Sequence, residues 1–367
     1  MNDLRKISVV LPSLDPDEKL LAVVDGLLNT GFTDIILVND GSKKENLHYF
    51  ETAAAHSEVT LLHHEVNRGK GAALKTAFTW FLENRPDALG VVTVDGDNQH
   101  HPEDTKACSQ QMIRSGKVVL GCRDFSLPHV PKRSRVGNNI TCGVFKLMVG
   151  MTISDTQTGL RAIPTPAVKA FCAVKGDRFE YETNMLLAMK EQGIEFDEVK
   201  IRTVYIEENK SSHFRAVRDS VRIYKLILAH FFRYTLSSLL SAVVDTGLFA
   251  GLSWLLCKLL SEPWLSLAPA IGARAVSSLF NFFLNKNMVF RSNVSTGKAM
   301  LRYYLLAVPQ MLLQAGLTWG ATTLLHIGAN QTFLRTLVYI VIMVILYFAS
   351  FVIQQRWVFA ARKKESK

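Results

Sequence analysis

Nothing at the start of this chain reads as a secretory leader. MNDLRKISVVLPSLD carries a short apolar run that passes straight into a strand pattern, with no small-residue cleavage site. The expectation is a first half that stays in the cytoplasm. Cysteine is scarce too: Cys108, Cys122, Cys142, Cys172 and Cys257 are scattered, odd in number and without metal-ligand spacing. That fits a reducing compartment and argues against structural zinc. No GxGxxG follows the first strand-like run, and GKGAAL (69–74) lacks Walker A spacing, so neither a dinucleotide fold nor a P-loop is supported. No nucleic-acid recognition motif accompanies the net charge of +10. Much of the excess sits beside apolar segments (Arg215, Arg218, Arg222, Lys225, Arg233, then Arg356, Arg362, Lys363, Lys364), where anionic lipid headgroups would lie. Membrane lipids, not nucleic acid, are the expected partner.

What is present divides the chain. At 367 residues it is too long for one ordinary core. Charged and apolar positions mix as in a soluble domain over 1–212. An amphipathic basic stretch fills 213–230, long apolar runs occupy 231–360, and 361–367 form a basic tail. In the first part, short Val-, Ile- and Leu-rich runs alternate with helical stretches. Strands are expected at 7–12, 34–40, 59–64, 88–95 and 117–124, and helices at 17–29 and 71–84. This is an α/β pattern with a mostly parallel sheet covered by helices on both faces. Ligands bind such sheets at the carboxyl ends of the strands, near a topological switch point. Polar residues gather at those ends: Pro12-Ser13-Leu14, Asn39-Asp40 and Asp95-Gly96-Asp97.

The last triplet closes the strand in VTVDGDNQHHPED (92–104). Two carboxylates at a strand end repel unless something neutralises them. Mg²⁺ or Mn²⁺ does so, using one or two carboxylates plus substrate phosphate oxygens. Gly96 lets a ligand approach the backbone closely. Asp-Gly-Asp is also common in solvated turns.

Five motifs follow in order: VNDGSKK (38–44), NRGKGAALKTAF (67–78), VDGDNQHHPED, SDTQTGLRAI (154–163) and RFEYETNMLLAMKEQGIEFDEVKI (178–201). Together they resemble the family 2 glycosyltransferases of GT-A fold, nearest the polyprenyl-phosphate branch. The likeness covers roughly residues 5–212. Departures are Leu14 for the usual tyrosine in PSLDPDE, Asn39 for the first aspartate of the base-reading turn, and His213 in ENKSSHF for a common lysine.

The resemblance implies inverting transfer of a sugar from a nucleotide sugar to a polyprenyl phosphate. It implies that Asp95, Asp97 and Gln99 hold Mg²⁺ or Mn²⁺, which would neutralise the charge growing on the departing nucleoside diphosphate. Pro12, Leu14, Glu18, Asp40, Lys70, Asp95 and Gly96 are then candidates for the donor nucleotide, with Asp40 on the base. A phosphate monoester is largely dianionic at neutral pH, its second pKa being about 6, so holding two polyanions together is the harder problem. It calls for forked cations. Arg123, Arg135 and Arg161 are catalytic candidates with Asp97, and Arg133, Ser211 and Ser212 are candidates for the acceptor phosphate. Asp155 would orient the acceptor or act as a weak base, although Ser-Asp-Thr also suits a cap.

Four spans are expected in the second half, forming an all-α membrane domain: roughly 231–256, 265–283, 303–325 and 335–353, each near the ~20 residues that cross a hydrocarbon core. Lys286, Arg291, Lys298 and Arg302 mark one connector, and the basic tail marks the same side. The positive-inside rule then puts both termini in the cytoplasm, as in a bacterial plasma membrane. FFRYTLSSLLSAVVDTGLF, ARAVSSLFNFFLNKNMVF and QQRWVF resemble the GtrA-like membrane domain. Asp245 and Arg274 fall at similar depth, counted from one short connector, and are expected to pair. A lipid-sugar translocator with a nucleotide-sensing soluble part, or a processive polysaccharide synthase, are the other readings. The intact acid motif argues against the first. Ile353 where Q-x-x-R-W needs its first glutamine argues against the second. The sequence is compatible with a homo-oligomer and names neither the sugar nor the base.

Overall fold

The computed structural model describes residues 2–128, 130–202, 216–261, 264–290, 292–327 and 331–360. They form two compact units that divide between Leu226 and Ile227.

In the first unit, the apolar runs become β1 (Ile7–Ser13), β2 (Ile35–Asp40), β3 (Val59–His64), β4 (Gly90–Thr93) and β5 (Val118–Arg123). Later come β6 (Arg161–Pro164) and β7 (Phe196–Ile201). Between them lie α1 (Lys19–Thr30), α2 (Leu47–Ala53), α3 (Lys70–Asn84), α4 (Pro102–Ser115), α5 (Lys132–Val149), α6 (Thr165–Cys172) and α7 (Glu180–Gln192). Strands β1, β2 and β5 are buried along nearly their whole length, which is why they read as continuous apolar runs rather than alternations. Local signals set the helix ends. Asp17 accepts the Lys19 amide, so α1 begins later than its apolar period predicts. In α4 the ring of His101 accepts from Glu103, Pro102 opens the helix, Glu103 and Asp104 face its positive end, and Gly116 closes it at φ 66°.

The sheet order is β3-β2-β1-β4-β6-β5-β7. The chain runs outward from β1 to β3, then returns to lay β4 against the other side of β1. The switch point is therefore the crevice between β1 and β4, and Asp95 lies two residues past the end of β4. β4 is shorter than the 88–95 run predicts because the turn through Asn98, at φ 60°, takes over its last residues. One strand is antiparallel. β6 pairs with β4 and β5, and carries the preceding TGL loop across the end of β4, where the Thr93 hydroxyl donates to Gly159 O at 2.7 Å.

The second unit is helical. It is built from α8 (Ala216–Leu256, which begins before the division), α9 (Trp264–Leu284), α10 (Thr296–Leu324) and α11 (Thr332–Ile353), with π turns at Asn285–Val289 and Gln354–Val358. Among the described residues, three segments are long and apolar enough to cross a membrane: Tyr224–Leu256, Leu267–Val289 and Thr332–Val358. The remaining expected span falls within α10, which is 29 residues long but not among those three; Gln310, Gln314, Thr318 and Thr322 dilute its apolar content. The expected intramembrane pair forms: Arg274 Nη2 lies 3.2 Å from Asp245 Oδ2, and the Ser277 hydroxyl donates to Asp245 Oδ1 at 2.6 Å.

Candidate active site

At the end of β4 the Asp95 carboxylate meets Lys70, the first residue of α3, at 2.7 Å. Lys70 also reaches Glu182 on α7 at 3.0 Å, and His100 Nε2 stands 3.6 Å from the other Asp95 oxygen. Burial alone would raise the Asp95 pKa. The Lys70 ammonium and His100 outweigh it and hold the carboxyl far below the usual range. Burial likewise works against the Lys70 ammonium, but Asp95 and Glu182 reverse the sign and raise it. Among the described residues, Asp97 makes no direct ion pair, and Lys70 and His100 act on it only at longer range. Its only described hydrogen bond comes from the Gln99 amide at 3.1 Å, and burial followed by the Asp95 charge pushes its pKa up. The site thus holds one compensated carboxylate and one strained by its neighbour, on a turn that also presents Gln99.

Close backbone approaches fix this arrangement. A Cβ on Gly159 would sit 2.4 Å from Asp95 Oδ2, and a Cβ on Gly96 would sit 3.2 Å from the Ser13 hydroxyl of β1. Gly69, at φ 102°, presses against Asp177 O, so the loop entering α3 docks on the segment leading to α7. Gly159 lies outside the left-handed region, so alanine there leaves the backbone unstrained and acts on Asp95 alone. Gly159→Ala is expected to weaken Mn²⁺ binding about tenfold or more by turning this carboxylate, measured by titration calorimetry. Unchanged binding would separate Asp95 from the cation.

Asp40, expected on the base, is spent elsewhere. Its oxygens accept the backbone amides of Arg68 (3.0 Å) and Gly69 (2.8 Å), and His64 Nδ1 lies at 2.7 Å. It therefore holds the Lys70 loop in place, a role that Asp-Gly-Ser as a turn signal does not reveal. Asn39 is buried, with its oxygen on the Ser42 amide. Pro12 and Leu14 lie half-buried at the end of β1, and Glu18 is exposed at the start of α1.

A second cluster surrounds Arg123 at the end of β5. Its guanidinium grips Asp155 through Nε at 2.7 Å and Nη2 at 3.1 Å, and Asp155, wholly buried, also accepts the Gln157 amide at 3.0 Å. Both Asp155 oxygens are engaged by these donors, and the carboxylate holds Arg123 in place. Arg135 binds the carbonyls of Phe125 and Leu127, both at 2.8 Å. Arg123, Arg135, Ser126, Asn138, Asn139 and Lys200 line a cavity of about 590 Å³. Arg161 is not at a surface. It is 1% exposed, donates to Thr158 O and Glu182 O, and leaves Nη2 without a partner among the described residues. Burial lowers its pKa against the pull of Glu182 and Asp155. The Arg133 side chain, Ser211 and Ser212 lie outside the described residues.

Two participants escaped sequence reasoning. Glu182 shares its motif with Glu180, and nothing local says which faces Lys70. His100 has no motif of its own: His101 beside it caps α4, while His100 turns to Asp95. Among the described residues, no three His, Cys, Asp or Glu side chains are grouped to hold a metal ion by themselves. The donor set expected from the sequence, Asp95, Asp97 and Gln99, would be two carboxylates and one amide, a partial oxygen shell that suits Mg²⁺ or Mn²⁺ with phosphate and water.

Comparison with known proteins places each half of the chain. Residues 8–167 match glycosyl transferase family 2, and residues 233–359 match the GtrA/DPMS transmembrane domain. An uncharacterised protein of Methanocaldococcus jannaschii is 29% identical over 239 residues, covering 63% of this chain and 96% of that one. A UDP-N-acetylglucosamine–dolichyl-phosphate N-acetylglucosaminyltransferase of Methanococcus voltae is 27% identical over 240 residues, covering 60% and 95%. Among solved structures, glucosyl-3-phosphoglycerate synthase from Mycobacterium tuberculosis aligns with 61% of this chain and 79% of its own, at 15% identity and a TM-score of 0.46. Residues 8–167 thus form a glycosyl transferase family 2 domain, and the same chain carries a GtrA/DPMS transmembrane domain over residues 233–359.

Proposed function

We propose that this enzyme transfers one sugar, with inversion, from a UDP- or GDP-linked donor to a polyprenyl phosphate, undecaprenyl or dolichyl, using Mg²⁺ or Mn²⁺. The reaction would run at the cytoplasmic face of a bacterial plasma membrane, crossed four times by the chain, and would serve modification of the cell envelope. One observation carries the reading: the Asp95–Asp97 acid turn opens at the β1–β4 switch point of a chain that also holds a GtrA/DPMS transmembrane domain. The dolichyl-phosphate acceptor in the name of the Methanococcus voltae relative supports the acceptor class.

Asp95, Asp97 and Gln99 would hold the cation, and the cation would supply Lewis-acid neutralisation of the donor diphosphate. The protein's own groups do the rest. Lys70, pinned by Glu182, keeps Asp95 ionised and aimed into the crevice. Arg123, held by Asp155, and Arg135, held by loop carbonyls, place two guanidinium charges on the wall of the cavity, the sign a phosphate needs. The acceptor phosphate is already largely dianionic, its second pKa being about 6. A strong general base is therefore unnecessary, in keeping with the occupied state of Asp155.

Incubating the purified protein with a panel of nucleotide sugars and undecaprenyl phosphate, then weighing the lipid product by mass spectrometry, tests the reading. One donor should yield a lipid carrying one added hexose or N-acetylhexosamine, and EDTA should abolish it. No glycolipid from any donor, or full turnover in EDTA, would refute the acceptor class or the cation respectively.

A further inference from the structure

The membrane unit contains a repetition. Sliding the chain so that Asn285 falls on Gln354 brings Arg233-Tyr234 onto Arg302-Tyr303, Gly247-Leu248 onto Gly316-Leu317, Gly251 onto Gly320, and Leu255-Leu256 onto Leu324-Leu325. The same shift lays Phe282 on Phe351 and Val289-Phe290 on Val358-Phe359. The two π turns, each five residues long, coincide under it.

The contacts obey the same shift. Phe282 meets Phe359 at 5.9 Å and 35°, and the equivalent pair, Phe351 with Phe290, meets at 5.9 Å and 34°. Phe282 packs on Tyr303 at 5.5 Å, and Phe351 packs on Tyr234 at 5.2 Å. The Tyr347 hydroxyl bonds Thr235 at 3.0 Å; the equivalent positions are Ser278 and Tyr304, whose hydroxyls bond at 2.9 Å with the residue types exchanged. Two contacts join a residue to its own equivalent: Phe290 stacks on Phe359 at 5.1 Å, and Asn285 Nδ2 donates to Gln354 Oε1 at 3.1 Å. Reciprocal contacts off the axis and self-equivalent contacts on it are the signature of an isologous interface.

We infer that α8–α9 and α10–α11 are two copies of one helical hairpin, each the other's partner about a pseudo-two-fold axis through Asn285 and Gln354. Because α8 and α10 occupy equivalent places and run the same way, the axis stands along the membrane normal, as in parallel internal repeats. Two consequences follow. α10 spans like α8 despite its glutamines, and both hairpin tips, marked by Cys257 and Gln331, lie on one side of the membrane. The copies also differ where charge enters: Asp245, Arg274 and Ser277 in the first correspond to Gln314, Met343 and Leu346 in the second. The ion pair is thus an addition to one hairpin and not part of what the two share.

The tests use the full-length protein in detergent or native vesicles. The exchange variant N285Q/Q354N keeps one long and one short amide on the axis, so its thermal midpoint should stay within about 2 °C of the parent, while N285L and Q354L should each lose about 4 °C or more. The transplant D245Q/R274M copies the second hairpin into the first and should likewise hold its midpoint, whereas D245Q alone should not. An exchange or transplant variant that melts below its singles overturns the equivalence. Topology gives a check independent of folding. Native Cys257, and Gln331→Cys in a C257S chain, should react with an impermeant maleimide from the same membrane face, and Ser295→Cys from the other, read peptide by peptide. Labelling of the two tips from opposite faces overturns the inference. None of these readouts involves sugar transfer, so the result stands apart from the proposed activity.

Discussion

Asp97→Asn should reduce sugar transfer by about 100- to 1000-fold without unfolding the protein. The change is nearly isosteric, and the one described hydrogen bond it touches, from the Gln99 amide, can still be accepted by the asparagine oxygen. Only the charge goes. Because burial and Asp95 raise the Asp97 pKa, the folded state disfavours its ionised form more than the unfolded state does. That group therefore costs stability above its folded pKa, and the neutral variant should melt at or above the parent temperature at pH 7. Lower activity with equal or higher stability is what a carboxylate kept for a cation produces. Mn²⁺ titration followed by calorimetry or electron paramagnetic resonance supplies the second readout, and the affinity should fall with the rate. Turnover within about tenfold of the parent would remove Asp97 from the reaction.

The second large effect is on the fold. Arg123→Met is expected to destabilise the first unit by about 3–5 kcal/mol, because it leaves the fully buried Asp155 carboxylate without its bidentate partner. The Arg123 side chain keeps 23% of its surface exposed, so solvent screening places the loss near the lower end. Removing both charges in R123M/D155N should recover much of the loss, since an asparagine can still accept the Gln157 amide. Thermal unfolding of the three proteins at one pH decides this. Equal midpoints for R123M and the double variant would mean that the pair does not act as a unit. Asp155→Asn by itself separates the remaining roles: a raised KM for lipid phosphate with intact kcat marks positioning, and near-normal turnover takes Asp155 off the catalytic list altogether.

Much of the fold was legible because its signals are local. β3 falls on the expected residues, and β1, β2 and β5 within one or two, since a strand buried on both faces must be apolar throughout. The acid turn was legible because two carboxylates ending such a strand conflict with burial unless they serve a ligand. β6 went unseen: four residues between β4 and β5 carry no period, and only the strands on either side make Arg161–Pro164 a strand. The hairpin repeat was equally hidden, because most equivalent positions differ in identity and agree only in what they touch.

Side-chain roles were legible to a lesser degree. Asp40 and Arg161 have the residue types that a donor site needs, yet one accepts backbone amides and the other is buried at the start of β6. Which groups an ionisable side chain meets depends on segments far away in the chain: Glu182 for Lys70, Asp155 for Arg123. By itself the sequence determined the two-part architecture, the strand that ends in acid and the apolar helices, since periodicity and burial are properties of neighbouring residues. The tertiary structure alone decided which charges face one another and which are silenced, because pairing energy depends on distance in space, and positions remote along a chain come within 3 Å only after it has folded.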